Sequence, residues 1–285
     1  MTALLHSFPE EQGVVVPKED CIHLLIMGDV EASIKLLPDD SIDLIVTDPP
    51  YNRGLNYGVA TDRRKPTEYF AWCERWLEEC ARVLSKKGSM YLISYPEINA
   101  RLLPYIQDEL ELKFRRWITW HYPTNIGHSK KNFTRSQRSI LFITKGNDYV
   151  FHRRRLIQHY KNPTVSKVKK RMKVGLRGRV AYDLLHTLDL IELNDGLDVE
   201  GMVDVLSFNL LKNVSHDRFN EEHPCQLPLT LLRLLIGTSS SKNDVVLDPF
   251  AGTFTVAKVA NELGRNSVGI EVNPTYVELG KRRLA

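Results

Sequence analysis

The sequence predicts an α/β fold built on a mostly parallel sheet, and three observations carry that prediction. Short apolar runs alternate with stretches of helical spacing through most of the 285 residues. The links between them are short, as in a sheet wound with helices. Two runs stop abruptly in distinctive turns, Asp48-Pro49-Pro50-Tyr51 and Asp248-Pro249-Phe250-Ala251-Gly252. Sheets of this kind bind their ligands at the carboxyl ends of strands.

Taken in order, residues 21–27 (CIHLLIM) and 42–47 (IDLIVT) read as buried strands. Residues 67–88 read as a helix. Phe70, Cys73, Trp76, Leu77, Cys80, Val83 and Leu84 recur at helical spacing, Thr67 suits the N-cap, and Lys86-Lys87-Gly88 suits a stop. A strand at 90–94, a helix over 97–110 and strands at 114–122 and 139–144 follow. Residues 181–211 are acidic and Leu-rich, with no assignable period. Residues 222–241 (EHPCQLPLTLLRLLIGTSSS) read as a proline-started helix with a leucine face. A strand at 245–247, a helix at 255–263 stopped by Gly264, a strand at 267–272 (SVGIEV) and a short terminal helix complete the chain.

Hydrophobic content of 42% and charged content of 26% are ordinary globular values. No apolar run approaches the roughly 20 residues of a membrane span. The first residues lack a basic start and soon turn acidic, so no signal peptide and a cytoplasmic location are expected. None of the four cysteines, Cys21, Cys73, Cys80 and Cys225, forms a CxxC pair, and no metal site is expected. Cys73 and Cys80 fall on the buried face of their helix and read as core. His121, His128 and His152 show no ligand spacing.

The net charge of +4 is unevenly spread. Residues 152–180 hold eleven Lys or Arg and no acid, which leaves 28 bases against 35 acids elsewhere. An unneutralised basic segment on an acidic body predicts a polyanion-binding surface. Arg153, Arg154, Arg155, Lys167, Lys169, Lys170, Arg171, Lys173, Arg177 and Arg179 are its candidate phosphate contacts.

In residues 245–272 a strand ends at Asp248, a tight turn carries Ala251 and Gly252, and Glu271 stands nineteen residues past Gly252. A small-residue turn allows close approach of a ligand, and the later acid suits ribose hydroxyls. A single glycine is not the GxGxxG phosphate fingerprint, and Asp248 would repel a pyrophosphate. A ligand with a ribose and a cationic amino-acid tail fits better, such as S-adenosylmethionine. In the earlier turn, Asp48 can accept from an exocyclic amino group. Pro50 fixes the direction of the Pro49 carbonyl, and Tyr51 offers a flat face for stacking. Together these could hold a flipped nucleobase, whereas read alone the stretch is a proline-rich turn.

The blocks in their order resemble the DNA amino-methyltransferases, in the group whose catalytic motif precedes the cofactor motif. The resemblance rests on residues 28–52 (GDVEASIKLLPDDSIDLIVTDPPYN), 134–146 (TRSQRSILFITKG), 223–228 (HPCQLP), 248–252 (DPFAG) and 269–274 (GIEVNP). It covers nearly the whole chain except residues 152–212. It implies a Rossmann-like S-adenosylmethionine-dependent methyltransferase fold. The sheet would be seven-stranded and mostly parallel, with its first strand in fold order near the C-terminus. It divides the chain into a catalytic domain in two parts, 1–151 and 213–285, around a basic target-recognition region at 152–212.

Further, the resemblance implies double-stranded DNA as substrate and S-adenosyl-L-methionine as cofactor. Asp48, Pro49, Pro50 and Tyr51 would be catalytic. Asp29, His223, Pro224, Gln226, Asp248, Pro249, Phe250, Ala251, Gly252, Thr253, Glu271 and Asn273 would bind the cofactor. Asp at the head of the motif is commoner among the family's adenine enzymes, which implies transfer to adenine N6, with cytosine N4 as the alternative. Family members often dimerise or pair with a restriction endonuclease, so both are candidate partners; a membrane is not. In one departure, Phe254 stands where the family usually has Gly. Its side chain must point away from the cofactor, or the turn differs.

Rival readings remain. Pro224-Cys225 could supply the thiolate of cytosine C5 methylation, but it lies before the cofactor strand within a helix start. RNA or protein methylation is a second rival, and a non-catalytic DNA-binding scaffold a third.

Overall fold

The computed structural model describes residues 13–18, 20–55, 62–121, 131–153, 157–159, 164–174, 178–180, 184–185, 191–192 and 226–285. His128, Arg154, Arg155, Arg177, His223, Pro224 and Cys225, which the sequence singles out, lie outside the described residues.

The chain opens with β1 (Gly13–Pro17) and β2 (Ile22–Met27), then the short helix α1 (Val30–Ser33) and β3 (Ile42–Thr47). Next come α2 (Pro66–Val83), β4 (Leu84–Ser94), α3 (Pro96–Asp108), β5 (Lys113–His121) and β6 (Gln137–Thr144). A small group follows: β7 (Ile157–His159), α4 (Ser166–Lys173), β8 (Gly178–Val180), β9 (Leu184–Leu185) and β10 (Ile191–Glu192). The C-terminal part is α5 (Leu229–Ser239), β11 (Val245–Asp248), α6 (Thr255–Glu262), β12 (Asn266–Glu271) and α7 (Pro274–Leu284).

The main sheet runs β1-β2-β12-β11-β3-β4-β6-β5-β9. Its middle seven strands are the predicted seven-stranded sheet, and β1 and β9 extend the two edges. Strands β2, β12, β11, β3 and β4 are parallel neighbours, while β6 lies antiparallel between β4 and β5. The late strands β11 and β12 insert between β2 and β3, so the order is permuted as expected. In the basic region, β7 pairs antiparallel with β8 and with β10 in a separate three-stranded sheet.

Alternation along the strands builds a core on each face of the sheet. Ile45 joins the layer under α2 and α3, and its neighbours Leu44 and Val46 join the layer formed with α5 and α6. Helix α2 buries Tyr69, Trp72, Cys73, Trp76, Leu77, Cys80 and Val83, a stripe at steps of three and four residues. The stripe is rotated slightly from the predicted one: Tyr69 and Trp72 belong to it, and Phe70 is only half-buried.

Several predicted boundaries are corrected. Helix α2 starts with Lys65 at the N-cap and Pro66 in the first turn, not at Thr67, because proline needs no hydrogen-bonded N–H there. It stops at Val83, since Leu84 turns extended and pairs with Ile42. The register then jumps from Ile42↔Leu84 to Leu44↔Ser89, so Lys86-Lys87-Gly88 lies in a strand irregularity and is not a helix stop. Of the helix predicted over 222–241, residues 222–225 lie outside the described residues, and the rest forms a helix from Leu229 to Ser239 with Pro228 at its N-cap. Strand β1, helix α1 and the elements between β6 and α5 carry no pattern in the sequence that marks them.

Among the described residues no helix is long and apolar enough to cross a membrane. No group of three or more His, Cys, Asp or Glu there could hold a metal ion. Cys21, Cys73 and Cys80 are buried free thiols. Burial pushes Cys73 up to about 12 and raises Cys21 and Cys80 as well, so these three are core residues and not thiolates.

Candidate active site

Four adjacent parallel strands end side by side, and each contributes a carboxylate. Gly28 and Asp29 follow β2, Asp48 follows β3, Asp248 closes β11 and Glu271 closes β12. One cavity is lined by all of these, together with Pro49, Pro50, Tyr51, Gln226, Pro249, Phe250, Ala251, Gly252 and Thr253. The two distinctive turns, 196 residues or more apart in sequence, thus face one space because β3 and β11 are hydrogen-bonded neighbours, with Leu247 opposite Ile45.

Each turn has local causes. Asp29 caps α1, accepting from the N–H groups of Glu31 and Ala32 at 2.9 and 3.4 Å. Glu271 accepts from the N–H of Gly252 at 2.8 Å and from that of Asn273 at 2.8 Å, so the ribose-type acid also ties the glycine turn to its own strand end. Asp248 accepts from the Phe250 N–H at 3.1 Å. Asn273 differs from expectation. It is buried, does not line the cavity, and uses its carboxamide to cap α7 through the Thr275 N–H at 2.9 Å.

The cavity floor is strongly disposed toward a cation. Burial pushes Asp248 up to about 8, with the charges of Asp48 and Glu271 adding to the shift. Burial likewise pushes Glu271 up to about 7 against the backbone donors that favour its anion. Asp48 rises to about 6, burial outweighing the Tyr51 hydroxyl and the nearby Arg138 charge. A ligand carrying a positive centre would relieve all three. The apolar lining includes Trp72, Phe250, Leu227, Val30 and Ile270, with the Trp72 and Phe250 rings 5.5 Å apart edge to face. This mixture of buried acids and apolar walls fits S-adenosylmethionine, whose sulfonium and ammonium groups are cationic and whose adenine is flat.

Tyr51 sits differently from a bare stacking platform. Its hydroxyl donates to Asp48 Oδ1. Its ring packs on Tyr95 with centres 4.7 Å apart, and the Arg138 guanidinium lies 5.0 Å from its centre. Only 6% of the residue is exposed, although it lines the cavity.

Phe254 resolves the departure noted in the sequence. It takes a left-handed conformation, φ 58° and ψ 39°, yet it is fully buried. The ring points away from the cavity and fills a gap between β12 and α7. A Cβ placed on Gly280 would lie 2.2 Å from the ring, and one on Gly269 would lie 2.6 Å from it. Two glycines therefore make room for the bulky residue, and packing offsets the strain of a positive φ that Gly would not feel. The turn around Gly252 keeps its course beside the cavity.

Asp62, Arg64 and Trp72 line the cavity and Tyr95 borders Tyr51 without a signal in the sequence, whereas Arg138, also beside Tyr51, belongs to the 134–146 block that resembles the strand bordering the base pocket. Of the basic segment, Arg153 is exposed, and so are Lys167, Lys169, Lys170, Arg171 and Lys173 along α4, which buries nothing. Arg179 lies in β8, opposite Gln158 of β7.

Residues 42–282 match a protein-family model described as DNA methylase, covering the N6 and N4 enzymes. The chain is 32% identical over 263 residues to the DNA adenine methyltransferase YhdJ of Escherichia coli (strain K12), covering 91% of this chain and 82% of that protein. It is 30% identical over 262 residues to the type II methyltransferase M.HpaI of Haemophilus parainfluenzae, covering 91% and 73%. Among solved structures, the cytosine-N4-specific PvuII DNA methyltransferase superposes with a TM-score of 0.66 at 16% identity, over 92% of this chain and 86% of that one. The M1.HpyAVI–SAM complex superposes at 0.59 with 19% identity, over 91% and 98%.

Proposed function

The chain belongs to the DNA methylase family of N6 and N4 amino-methyltransferases, and from that premise we propose that it methylates the exocyclic N6 of adenine in DNA. S-adenosyl-L-methionine supplies the electrophilic methyl group. The observation that carries the reading is the shared cavity, where Asp48 stands at the end of β3 beside the acids of β11 and β12.

The residues divide the work by position. Glu271, Asp248, Asp29 and the 249–253 turn line the cofactor side. Asp48 and the Pro49 carbonyl form the acceptor side. An aromatic amino group is a poor nucleophile because its lone pair is delocalised into the ring. Two fixed acceptors on its N–H bonds favour a tetrahedral nitrogen and aim the lone pair across the cavity, which is catalysis by positioning and electrostatics. Asp48 is largely ionised above pH 6, the state in which it accepts. After transfer the surplus proton leaves to Asp48 or to water, and no covalent enzyme intermediate is needed.

Adenine is favoured over cytosine by Asp at position 48 and by the likeness to an adenine methyltransferase. The type II methyltransferases among its relatives support a place in a restriction–modification pair. The test is nucleoside mass spectrometry of DNA incubated with the purified protein and S-adenosylmethionine. N6-methyladenine is the expected product. N4-methylcytosine alone would overturn the choice of base, and unmodified DNA would overturn the activity.

A further inference from the structure

Acids and arginines meet around the cavity. Asp48, Asp248 and Glu271 line it with exposed Asp29 and with buried Asp62, which accepts from the Arg53 N–H at 3.1 Å, and the rim carries exposed Arg53, just past the catalytic turn, and exposed Arg64 on the facing loop. The two loops are tied by reciprocal bonds: the Asn52 side-chain amide donates to the Arg64 carbonyl at 2.9 Å, and the Arg64 N–H donates to Asn52 Oδ1 at 2.6 Å.

Beside this rim, arginines gather on one aromatic ring. The guanidinium carbons of Arg135, Arg138 and Arg53 lie 4.0, 4.2 and 4.8 Å from the centre of Tyr95. Tyr95 in turn packs on Tyr51, whose hydroxyl reaches Asp48. Two of the arginines converge on Glu97. Arg135 grips it with both arms of its fork, Nη2 to Oε1 at 2.7 Å and Nη1 to Oε2 at 3.0 Å, and Arg53 Nη2 adds a bond to Oε1 at 2.9 Å. Half of the Glu97 and Arg53 side chains is exposed, and a third of Arg135, so this is a surface cluster open to exchange with a ligand.

We propose that Arg53 and Arg135 form a phosphodiester clamp for the DNA backbone at the extruded target nucleotide, and that the Glu97 carboxylate holds the place of that phosphate while DNA is absent. A guanidinium fork that fits a carboxylate through two parallel N–H bonds fits two phosphate oxygens equally well. An incoming phosphate takes over the bonds that the Glu97 carboxylate now accepts from both guanidinium groups. The position is apt: the clamp lies two aromatic rings from Asp48, and the base it serves must enter beside Tyr51. The clamp is separate from the basic segment of residues 152–180, which lies elsewhere in the sequence. An ion pair that merely braced the loop would show the same contacts, but it would not release counterions when DNA binds.

The clamp rests on DNA being the substrate, and the experiment separates the two. The full chain is titrated with a short duplex carrying one unpaired adenine, across a series of KCl concentrations. Replacing Arg53 or Arg135 by Gln should lower the slope of log affinity against log salt by about 1 each. Arg135→Lys should keep the slope yet bind several-fold more weakly, since the charge survives and the fork does not. Glu97→Gln should tighten binding. Each variant should bind S-adenosylmethionine like the wild type, which checks the fold. Unchanged slopes in both Gln variants, or a Glu97→Gln variant that weakens as they do, would overturn the clamp. If wild-type protein transfers no methyl group to DNA, the functional reading fails, whatever the slopes.

Discussion

The Tyr51 hydroxyl donates to the Asp48 carboxylate within the same turn. The acceptor intended for a substrate amino group is therefore capped from inside its own motif, and the incoming base must displace a phenol. This bond favours ionised Asp48, as does Arg138, against a burial that raises it to about 6. The rate of methyl transfer should accordingly climb through about pH 6 as Asp48 loses its proton. Tyr51→Phe keeps the ring and removes the bond, so the acid limb should move to higher pH. The pH dependence of kcat/KM, which reports the free enzyme in which the bond is intact, checks this; an unmoved limb would mean that the hydroxyl does not act on Asp48.

Asp48→Ala should cut transfer at least about a hundredfold, the usual scale for losing a preset polar contact in a transition state. Binding of S-adenosylmethionine should weaken far less than transfer, because Asp248 and Glu271 remain and Asp48 follows β3, two strands from Glu271 at the end of β12. Equilibrium binding and labelled-methyl transfer, measured side by side, read the two effects. Substantial turnover by this variant would remove Asp48 from the mechanism.

Affinity for the cationic cofactor should rise with pH. Asp248 and Glu271 hold their protons to about 8 and about 7, and a sulfonium favours their ionised forms. Binding should strengthen between about pH 6 and 8 with release of protons, seen as a buffer-dependent heat in calorimetry. S-adenosylhomocysteine, which lacks the sulfonium charge, should respond less. Without ligand the sign reverses. Unfolded carboxylates ionise near pH 4 while these folded ones stay protonated, so their contribution to stability is complete below that pH and is lost as pH climbs through 7 and 8. Thermal melts of the free protein should fall across that range.

The Phe254 ring and Gly280 should behave as a matched pair. Phe254→Ala should cost about 3–5 kcal/mol by opening a cavity. Gly280→Ala should cost about 1–3 kcal/mol, since its new methyl would strike the ring. Together they should cost less than the sum, because the methyl enters the vacated space. Urea denaturation of the three variants measures this, and strict additivity would show that the two do not share a volume.

The exposed α4 cations should appear in the salt dependence of DNA binding. Replacing Lys169, Lys170, Arg171 and Lys173 by Gln should lower the slope by about 1 for each side chain that meets a phosphate. Cofactor binding should be untouched. An unchanged slope would place the DNA on another surface.

The alternation of strands and helices, the permuted order of the motifs and many of the residues that line the cavity are legible in the sequence. Those features are written locally: Pro49-Pro50 restricts its own backbone, Gly252 and Ala251 leave room by having little side chain, and apolar spacing marks the faces of α2. Its limits were equally physical. Leu84 continues the helical spacing of apolar residues, so that spacing could not place the end of α2; pairing with Ile42 did. Asn273 follows the acid of β12 closely enough to look like a cofactor ligand, but its side chain is spent on capping α7. The contacts around Tyr51 come from the packing of distant elements. The antiparallel register that sets Ser94 of β4 against Ser139 of β6 brings Tyr95 beside Arg138, and the start of α3 carries Glu97 to Arg53 and Arg135. Such meetings join residues some forty positions apart, and no local preference of either partner encodes them. They exist only once the sheet has closed and its strands have taken their register.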